Sequence, residues 1–228
     1  MESRKLRLLN YTIRNYIKTA QPVGSNLLLE KSGLDLSSAT IRNDLMDLEN
    51  SGYIYQPYTS AGRVPTEQGY KFWIKFFLKD RELRKTKKEF LENIKKEFEK
   101  DKEKSIKELA RAIASISKMA VIVGFTRDST YYTGISYLFS QPEFKKYELI
   151  CAISEVVDGL EKSIPNLFNK IEKNKVITLV GSDNPFSNEC SVIAVNFGEE
   201  GLFSILGPIR MDYEENIAII KFLKKIIK

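Results

Sequence analysis

The most specific chemistry in this sequence sits in a short run of polar residues laid over an apolar stripe. Ser38, Thr40, Arg42 and Asn43 open a segment whose apolar residues Ile41, Leu45 and Leu48 recur at i, i+4 and i+7. That is the spacing of one helix face. An arginine can pair bidentately with guanine, and an asparagine with adenine. Serine and threonine hydroxyls at a helix start can bond a phosphate or a base edge, helped by the positive end of the helix dipole. Further along, Thr59-Ser60-Ala61-Gly62 reads as a turn followed by Arg63. Small residues there allow close backbone approach, and Arg63 could enter a minor groove or hold a phosphate. Each residue also has a purely structural use. Ser37 or Ser38 can cap the helix, and Arg42 and Asn43 can pair on a solvated face. Spacing alone leaves both uses open.

Other chemistries are poorly supplied. The 228 residues include no histidine, which removes Ser-His-Asp and Cys-His triads, the commonest general base and His-ligated zinc. Two cysteines cannot build a thiolate-only zinc site, and they make a disulfide-stapled secreted scaffold implausible. Cys151 lies in an apolar helical run and reads as core packing, while Cys190 begins a strand. Asp183-Asn184-Pro185 and Asp212 are turn or cap residues before they are catalysts. Gly198-Glu199-Glu200-Gly201 lacks the strand-then-helix context of a phosphate loop. The expectation is a protein that is not an enzyme and carries no cofactor or metal.

The elements that would position the polar run follow from periodicity. Leu6, Leu9, Ile13, Tyr16 and Ile17 describe a helix over roughly residues 3–18, broken by Gln21-Pro22-Val23-Gly24. Ser25 fits an N-cap, and a short helix through Leu27, Leu28 and Leu29 runs to Gly33 as a C′ glycine. Ser37-Ser38 opens the third helix and Gly52 stops it. Tyr53-Ile54-Tyr55-Gln56-Pro57-Tyr58 is rich in β-formers, and Arg63-Val64 reads as a short return strand. Thr66 then caps an aromatic helix carrying Tyr70, Phe72, Trp73, Ile74, Phe76 and Phe77. Three helices, a hairpin and a closing helix are the order of a winged helix-turn-helix, whose second motif helix enters the major groove.

Beyond this the chain changes character. Residues 79–118 are rich in Lys and Glu and hold no Pro or Gly. Leu83, Phe90, Leu91, Ile94 and Phe98 precede a stretch without apolar residues, and Ile106, Leu109, Ile113 and Ile116 follow it. That gap argues for two amphipathic helices or a solvent-bridging helix rather than a coiled coil. From residue 119 strands return, at 120–125, 176–180, 191–197 and 202–206, the last two joined by a Gly198–Gly201 hairpin. Residues 143–172 read as helix, with Leu149, Ile153, Val156 and Val157 inward and a break near Pro165. Asp212 opens a final helix. The expected class is α+β, in three parts: 1–78 a winged helix-turn-helix DNA-binding domain, 79–118 a charged helical connector, and 119–228 an α+β domain with an antiparallel sheet.

Charge is unevenly spread. The net +6 divides into +3 for residues 1–78, +5 for 79–118 and −2 for 119–228. A basic half joined to a mildly acidic half suits a chain of which one part meets a polyanion, although most of the excess lies outside the proposed reader. No apolar targeting core and no 18-residue apolar run occur, so the expectation is a cytoplasmic protein with no membrane partner.

Several blocks are more specific than any spacing argument. Ser37-Ser38-Ala39-Thr40-Ile41-Arg42-Asn43-Asp44-Leu45, Leu48-Glu49, Gly52-Tyr53 and Gln56-Pro57-Tyr58-Thr59-Ser60-Ala61-Gly62-Arg63-Val64-Pro65-Thr66 closely resemble the heat-inducible transcription repressor family, HrcA. Pro22-Val23-Gly24-Ser25, Gln141-Pro142-Glu143-Phe144 and Gly207-Pro208-Ile209-Arg210-Met211-Asp212-Tyr213 match as well. The resemblance implies a repressor of chaperone genes that binds double-stranded DNA at an inverted repeat called CIRCE. It implies a homodimer, an N-terminal winged helix, a GAF-like C-terminal domain and activation by the chaperonin GroEL. By motif position, Ser38, Thr40, Arg42 and Asn43 belong to the recognition helix, and Tyr58, Thr59, Ser60 and Arg63 to the wing. Two departures stand out. The chain is shorter than family members, with the shortfall expected around Thr126 to Tyr132, where a dimerising insert and some GAF strands are missing. Tyr58 stands where the family wing commonly has histidine, so that position donates a hydrogen bond but is not cationic near neutral pH. Other functions stay open: a ligand-responsive winged-helix regulator of other genes, or a chaperone-binding adaptor that has lost operator binding.

Overall fold

The computed structural model describes residues 3–33, 36–145 and 147–227, with backbone alone for 145, 147–149, 152 and 153. The inward placement expected of Leu149 and Ile153 therefore lies outside the described residues. The chain divides into two compact units, residues 1–79 and 80–228.

The first unit is built from α1 (Ser3–Thr19), α2 (Ser25–Lys31), α3 (Ser38–Asn50), β1 (Ile54–Tyr55), β2 (Val64–Pro65) and α4 (Glu67–Phe77). Helix α1 buries Leu8, Leu9, Thr12 and Ile13, one step round from the expected stripe, and Leu6, Tyr16 and Ile17 are only half-buried. Two apolar stripes overlap on this helix, and packing against α3 and α4 selects the one that contains Thr12. Its hydroxyl is satisfied by the Leu8 carbonyl at 2.9 Å, which is what lets a threonine sit in the core. Gly24, not Ser25, is the N-cap of α2, and it makes no side-chain cap bond. Ser37 caps α3, its side chain accepting from the Thr40 amide, and Thr66 caps α4 by accepting from Gly69. Gly33 and Gly52 adopt positive φ after α2 and α3, the conformation that ends a helix cheaply only at glycine. The strands are shorter than the β-rich run suggested. They pair antiparallel, Ile54 opposite Pro65 and Tyr55 opposite Val64.

The second unit holds α5 (Lys85–Glu97), α6 (Lys102–Ser117), β3 (Ala120–Gly124), β4 (Thr130–Thr133), α7 (Ile135–Phe139), α8 (Tyr147–Asp158), α9 (Leu160–Lys170), β5 (Ile177–Val180), β6 (Cys190–Phe197), β7 (Gly201–Pro208) and α10 (Tyr213–Ile226). The strands form one antiparallel sheet in the order β4-β3-β7-β6-β5. This is an α+β fold, consistent with a GAF-like domain. One face, including Ile122, Val192, Ala194 and Leu206, joins Leu138, Phe144, Leu160, Ile164 and Leu167 in a single core. The alternate residues Val121, Val123, Ile193 and Ile205 are buried as well, and α6 packs on β3 and α10 on β6. Coverage of both faces explains why β6 and β7 read as apolar runs rather than alternating strands.

Three expectations change here. Residues 85–97 and 102–117 do form two helices, but they belong to the compact second unit, and α6 buries Ile106, Leu109, Ala110 and Ile113. The helical region breaks at Gly159, and Pro165 lies inside α9. Strand β4 follows β3 through a tight turn in which the Phe125 amide donates to Ser129 O at 2.8 Å. Its Thr-Tyr-Tyr-Thr sequence is only half-buried, so no apolar run marked it. Among the described residues no helix is long and apolar enough to cross a membrane.

Two of the quoted sequence blocks meet in this unit. Arg210 donates to both carboxylate oxygens of Glu143 and, at 3.0 Å, to Gln141 Oε1. Gln141 Nε2 in turn donates to Lys118 O at 3.0 Å. Tyr213 is fully buried. Its hydroxyl donates to Ile209 O at 2.6 Å and lies 2.8 Å from Ser191 Oγ. Burial, reinforced by Glu189 and Glu143, pushes the Cys190 thiol up to about 12, so it stays protonated across the neutral range. Tyr213→Phe leaves the buried Ser191 hydroxyl without this partner. We expect it to lower stability by about 1–3 kcal/mol, read from the midpoint of urea unfolding; an unchanged midpoint would contradict this role.

Candidate nucleic-acid interface

Helix α3 is two-faced. It buries Ile41, Asp44, Leu45 and Leu48 and exposes Ala39, Arg42, Asn43, Met46 and Asp47. Arg42 and Asn43 have no side-chain partner among the described residues, and both are open to solvent. Ser38 is half-buried at the first turn, and Thr40 is half-buried with its hydroxyl 2.9 Å from Ser37 Oγ. The capping role considered for Ser37 is thus realised.

The orientation of that exposed face is set from beneath. Asp44 is 2% exposed and takes a bidentate pair from Arg4 of α1, Nε to Oδ2 at 2.6 Å and the Nη2 amine to Oδ1 at 2.8 Å. Paired fork geometry of this kind is the strong form of the interaction. Lys5 adds a second tie, 2.8 Å from Asp47. Sequence reading missed Asp44, although a signal was present. A carboxylate interleaved with Ile41, Leu45 and Leu48 on the apolar face must find a partner when buried.

The hairpin loop carries the other expected residues. Tyr58 is 68% exposed, and its carbonyl accepts from the Ala61 amide at 3.0 Å, closing a turn. Thr59 and Ser60 are exposed at the tip. Ser60 has a φ of +67°, a left-handed conformation that is uncommon for a residue other than glycine. Its hydroxyl donates to Thr59 O at 2.6 Å. The turn's small residues serve the fold. A Cβ on Gly62 would lie 2.4 Å from the Val23 carbonyl carbon and 2.7 Å from the Gly24 nitrogen. The hairpin backbone is thus pressed on the Pro22–Gly24 linker, and Val23 and Arg63 exchange both backbone hydrogen bonds, at 2.9 and 2.8 Å.

Arg63 is placed differently from the others. Its side chain is 15% exposed and pairs with Glu49 of α3 at 3.0 Å. Arg42, Met46, Ser60, Gly62 and Arg63, with Ser25 and Asn26 at the start of α2, line one groove of about 530 Å³. The fold therefore brings Arg42, Ser60 and Arg63 around a common opening, with Asn43, Tyr58 and Thr59 exposed on α3 and the hairpin loop. Among the described residues no group of three or more His, Cys, Asp or Glu side chains could hold a metal ion.

Comparison with known proteins adds a second line of argument. Residues 71–217 match the family model for the HrcA protein C-terminal domain. The chain is 33% identical over 180 residues to the heat-inducible transcription repressor HrcA of Lachnoclostridium phytofermentans, a match covering 78% of this chain and 47% of that protein. With the HrcA of Acetivibrio thermocellus it shares 51% identity over 83 residues, 36% of this chain and 24% of the relative. With that of Carboxydothermus hydrogenoformans it shares 24% over 335 residues, 99% and 96% of the two chains. The chain thus spans about half the length of the first of these relatives. The last match is longer than the chain itself, so that relative carries residues with no counterpart here. A crystal structure described as that of a hypothetical protein shares the fold at a TM-score of 0.72 and 17% identity, covering 100% of this chain and 97% of the other.

Gly62→Ala tests the close approach of hairpin and linker. We expect a loss of about 1–3 kcal/mol of stability, the range for a substitution that forces backbone to shift, measured by thermal unfolding. A melting temperature equal to that of the unsubstituted chain would argue against it.

Proposed function

We propose, from the premise that this chain belongs to the HrcA family, that it is a transcription repressor whose first unit is a winged helix-turn-helix. Helix α3 is its reading helix and the Tyr58–Ser60 loop its wing. The observation that carries this is the solvent-facing pair Arg42 and Asn43 on a helix otherwise anchored by Asp44, beside a groove shared with Ser60. Arg42 supplies a bidentate guanine contact and Asn43 an adenine contact. Ser38 and Thr40 at the start of α3, and Tyr58, Thr59 and Ser60 on the loop, hold phosphates and fix register. Arg63 acts at the base of the wing. The operator is an inverted repeat of the CIRCE type ahead of chaperone genes. A homodimer places two α3 helices in successive major grooves, about one helical turn apart, and blocks transcription sterically.

The second unit is the regulatory and dimerisation domain, a reduced GAF-like one, and the chaperonin GroEL is its partner in setting activity. The direct β3–β4 turn supports the view that the family's insert is absent at this point. On this reading the dimer contact lies elsewhere on the second unit.

Gel shifts with an inverted-repeat duplex and a scrambled duplex at physiological salt test the reading. Arg42→Ala should cost the specific complex about 1–3 kcal/mol, the worth of one good bidentate base contact, and leave the scrambled complex unchanged. Arg63→Ala should weaken binding with less change in preference between the two duplexes. Equal binding of both duplexes by the unsubstituted chain would refute operator specificity. A strict monomer that ignores DNA would favour the chaperone-binding adaptor.

A further inference from the structure

We infer that Glu49 and Arg63 are positioning residues for DNA recognition: through Gln56 they hold the hairpin loop at a fixed distance from the exposed face of α3. This rests on the reading of the first unit as a DNA reader, and names residues that would act without touching DNA.

One carboxylate bridges both arms of the hairpin. Glu49 Oε1 accepts from the Gln56 amide at 2.8 Å, just after β1 where the chain enters the loop. Glu49 Oε2 pairs with Arg63 at 3.0 Å, just before β2 where the chain leaves the loop. The Gln56 side chain then donates across the loop to Ala61 O at 2.8 Å. Arg63 is in turn fixed by its two backbone bonds to Val23. Loop, α3 and the linker before α2 are thereby tied at one place. Glu49 lies seven residues after Arg42, two turns along the same helix. A strain at Glu49 would move the loop against the base-reading residues and change the width of the groove that Arg42 and Ser60 share.

The alternative use of Arg63 is a direct phosphate contact. The geometry opposes it, because the side chain is mostly buried and already faces a carboxylate. The two uses differ in measurable ways. A phosphate contact contributes to counterion release, so its loss lowers the slope of log affinity against log salt by about one. A positioning pair contributes no such charge, and its two members act as one unit. Their single substitutions then fail to add in a double-mutant cycle.

The experiment measures fluorescence anisotropy of a labelled inverted-repeat duplex over a salt series, with Glu49→Ala, Glu49→Gln, Arg63→Ala, Arg63→Lys and the Glu49→Ala/Arg63→Ala double variant. Hydrogen exchange of the loop amides is measured on the same proteins without DNA. We expect Glu49→Ala and Arg63→Ala each to weaken binding about ten-fold, the double variant to be no weaker than either, and the salt slope to hold throughout. Glu49→Gln keeps the acceptor for Gln56 and Arg63→Lys keeps the cation, so both should recover part of the affinity. Exchange at Gln56 and Ala61 should speed up in Glu49→Ala. A reduced slope in Arg63→Ala, with unchanged or tighter binding in Glu49→Ala, overturns the inference in favour of a phosphate contact. Binding and exchange in Glu49→Ala equal to those of the unsubstituted chain overturn it outright. Failure of the unsubstituted chain to bind any duplex, with loop amides still protected, overturns the DNA-reader reading on which it rests.

Discussion

An exposed helix face keeps its direction only if the opposite face is held firmly. In the first unit that constraint falls on the Arg4–Asp44 pair. Ile41, Leu45 and Leu48 fix α3 in the core without fixing its rotation finely, because apolar contacts are non-directional. The bidentate pair is directional, and Asp44 is nearly inaccessible. Arg4, by contrast, is 40% exposed at its side chain, so the pair is only half withdrawn from water. The desolvation cost of a fully buried ion pair is therefore partly avoided.

The second unit meets a related demand by different means. Its sheet is covered on both faces, so each polar group inside needs a partner. Ser204 donates to Ile122 O at 3.1 Å, Ser191 has Tyr213, and the Asn184 side chain serves the Gly181, Ser187 and Cys190 carbonyls and the Phe186 and Ser187 amides. The Arg210–Glu143 bond draws together blocks far apart in sequence. These motif residues therefore act in building the unit, whereas Arg42 and Asn43 on α3 are exposed to solvent. A family resemblance alone does not separate the two kinds; burial and partners do.

Much of this was legible in the residues. Helices α1, α3 and α4 and the strands β3, β6 and β7 announced themselves through period, caps and apolar runs, and Ser37, Thr66 and Asp212 cap where expected. Strand β4 and helix α7 were not legible, since a half-buried Thr-Tyr-Tyr-Thr and a five-residue helix carry too little pattern. Gly159 broke the helical region where Pro165 was expected to. Within the candidate site, Arg42, Asn43, Thr59 and Ser60 could be picked from type and spacing. Arg63 was visible as a cation, but its inward turn was not, because the Glu49 that holds it lies on α3, outside the hairpin. Pairs far apart in sequence, such as Glu49–Arg63 and Arg4–Asp44, leave no periodic trace in a single sequence.

The contact of Gly62 with the Pro22–Gly24 backbone has a mechanical consequence. Closely packed interiors transmit displacement rather than absorb it. With no side chain between them and two hydrogen bonds across them, the hairpin and the linker into α2 form a gear with little backlash. The root of the loop is held by these bonds and by Glu49. A force applied at the start of α2 is delivered to the hairpin, and one applied to the hairpin is delivered back. The glycine thus makes two segments, separated in sequence by α2 and α3, respond as one.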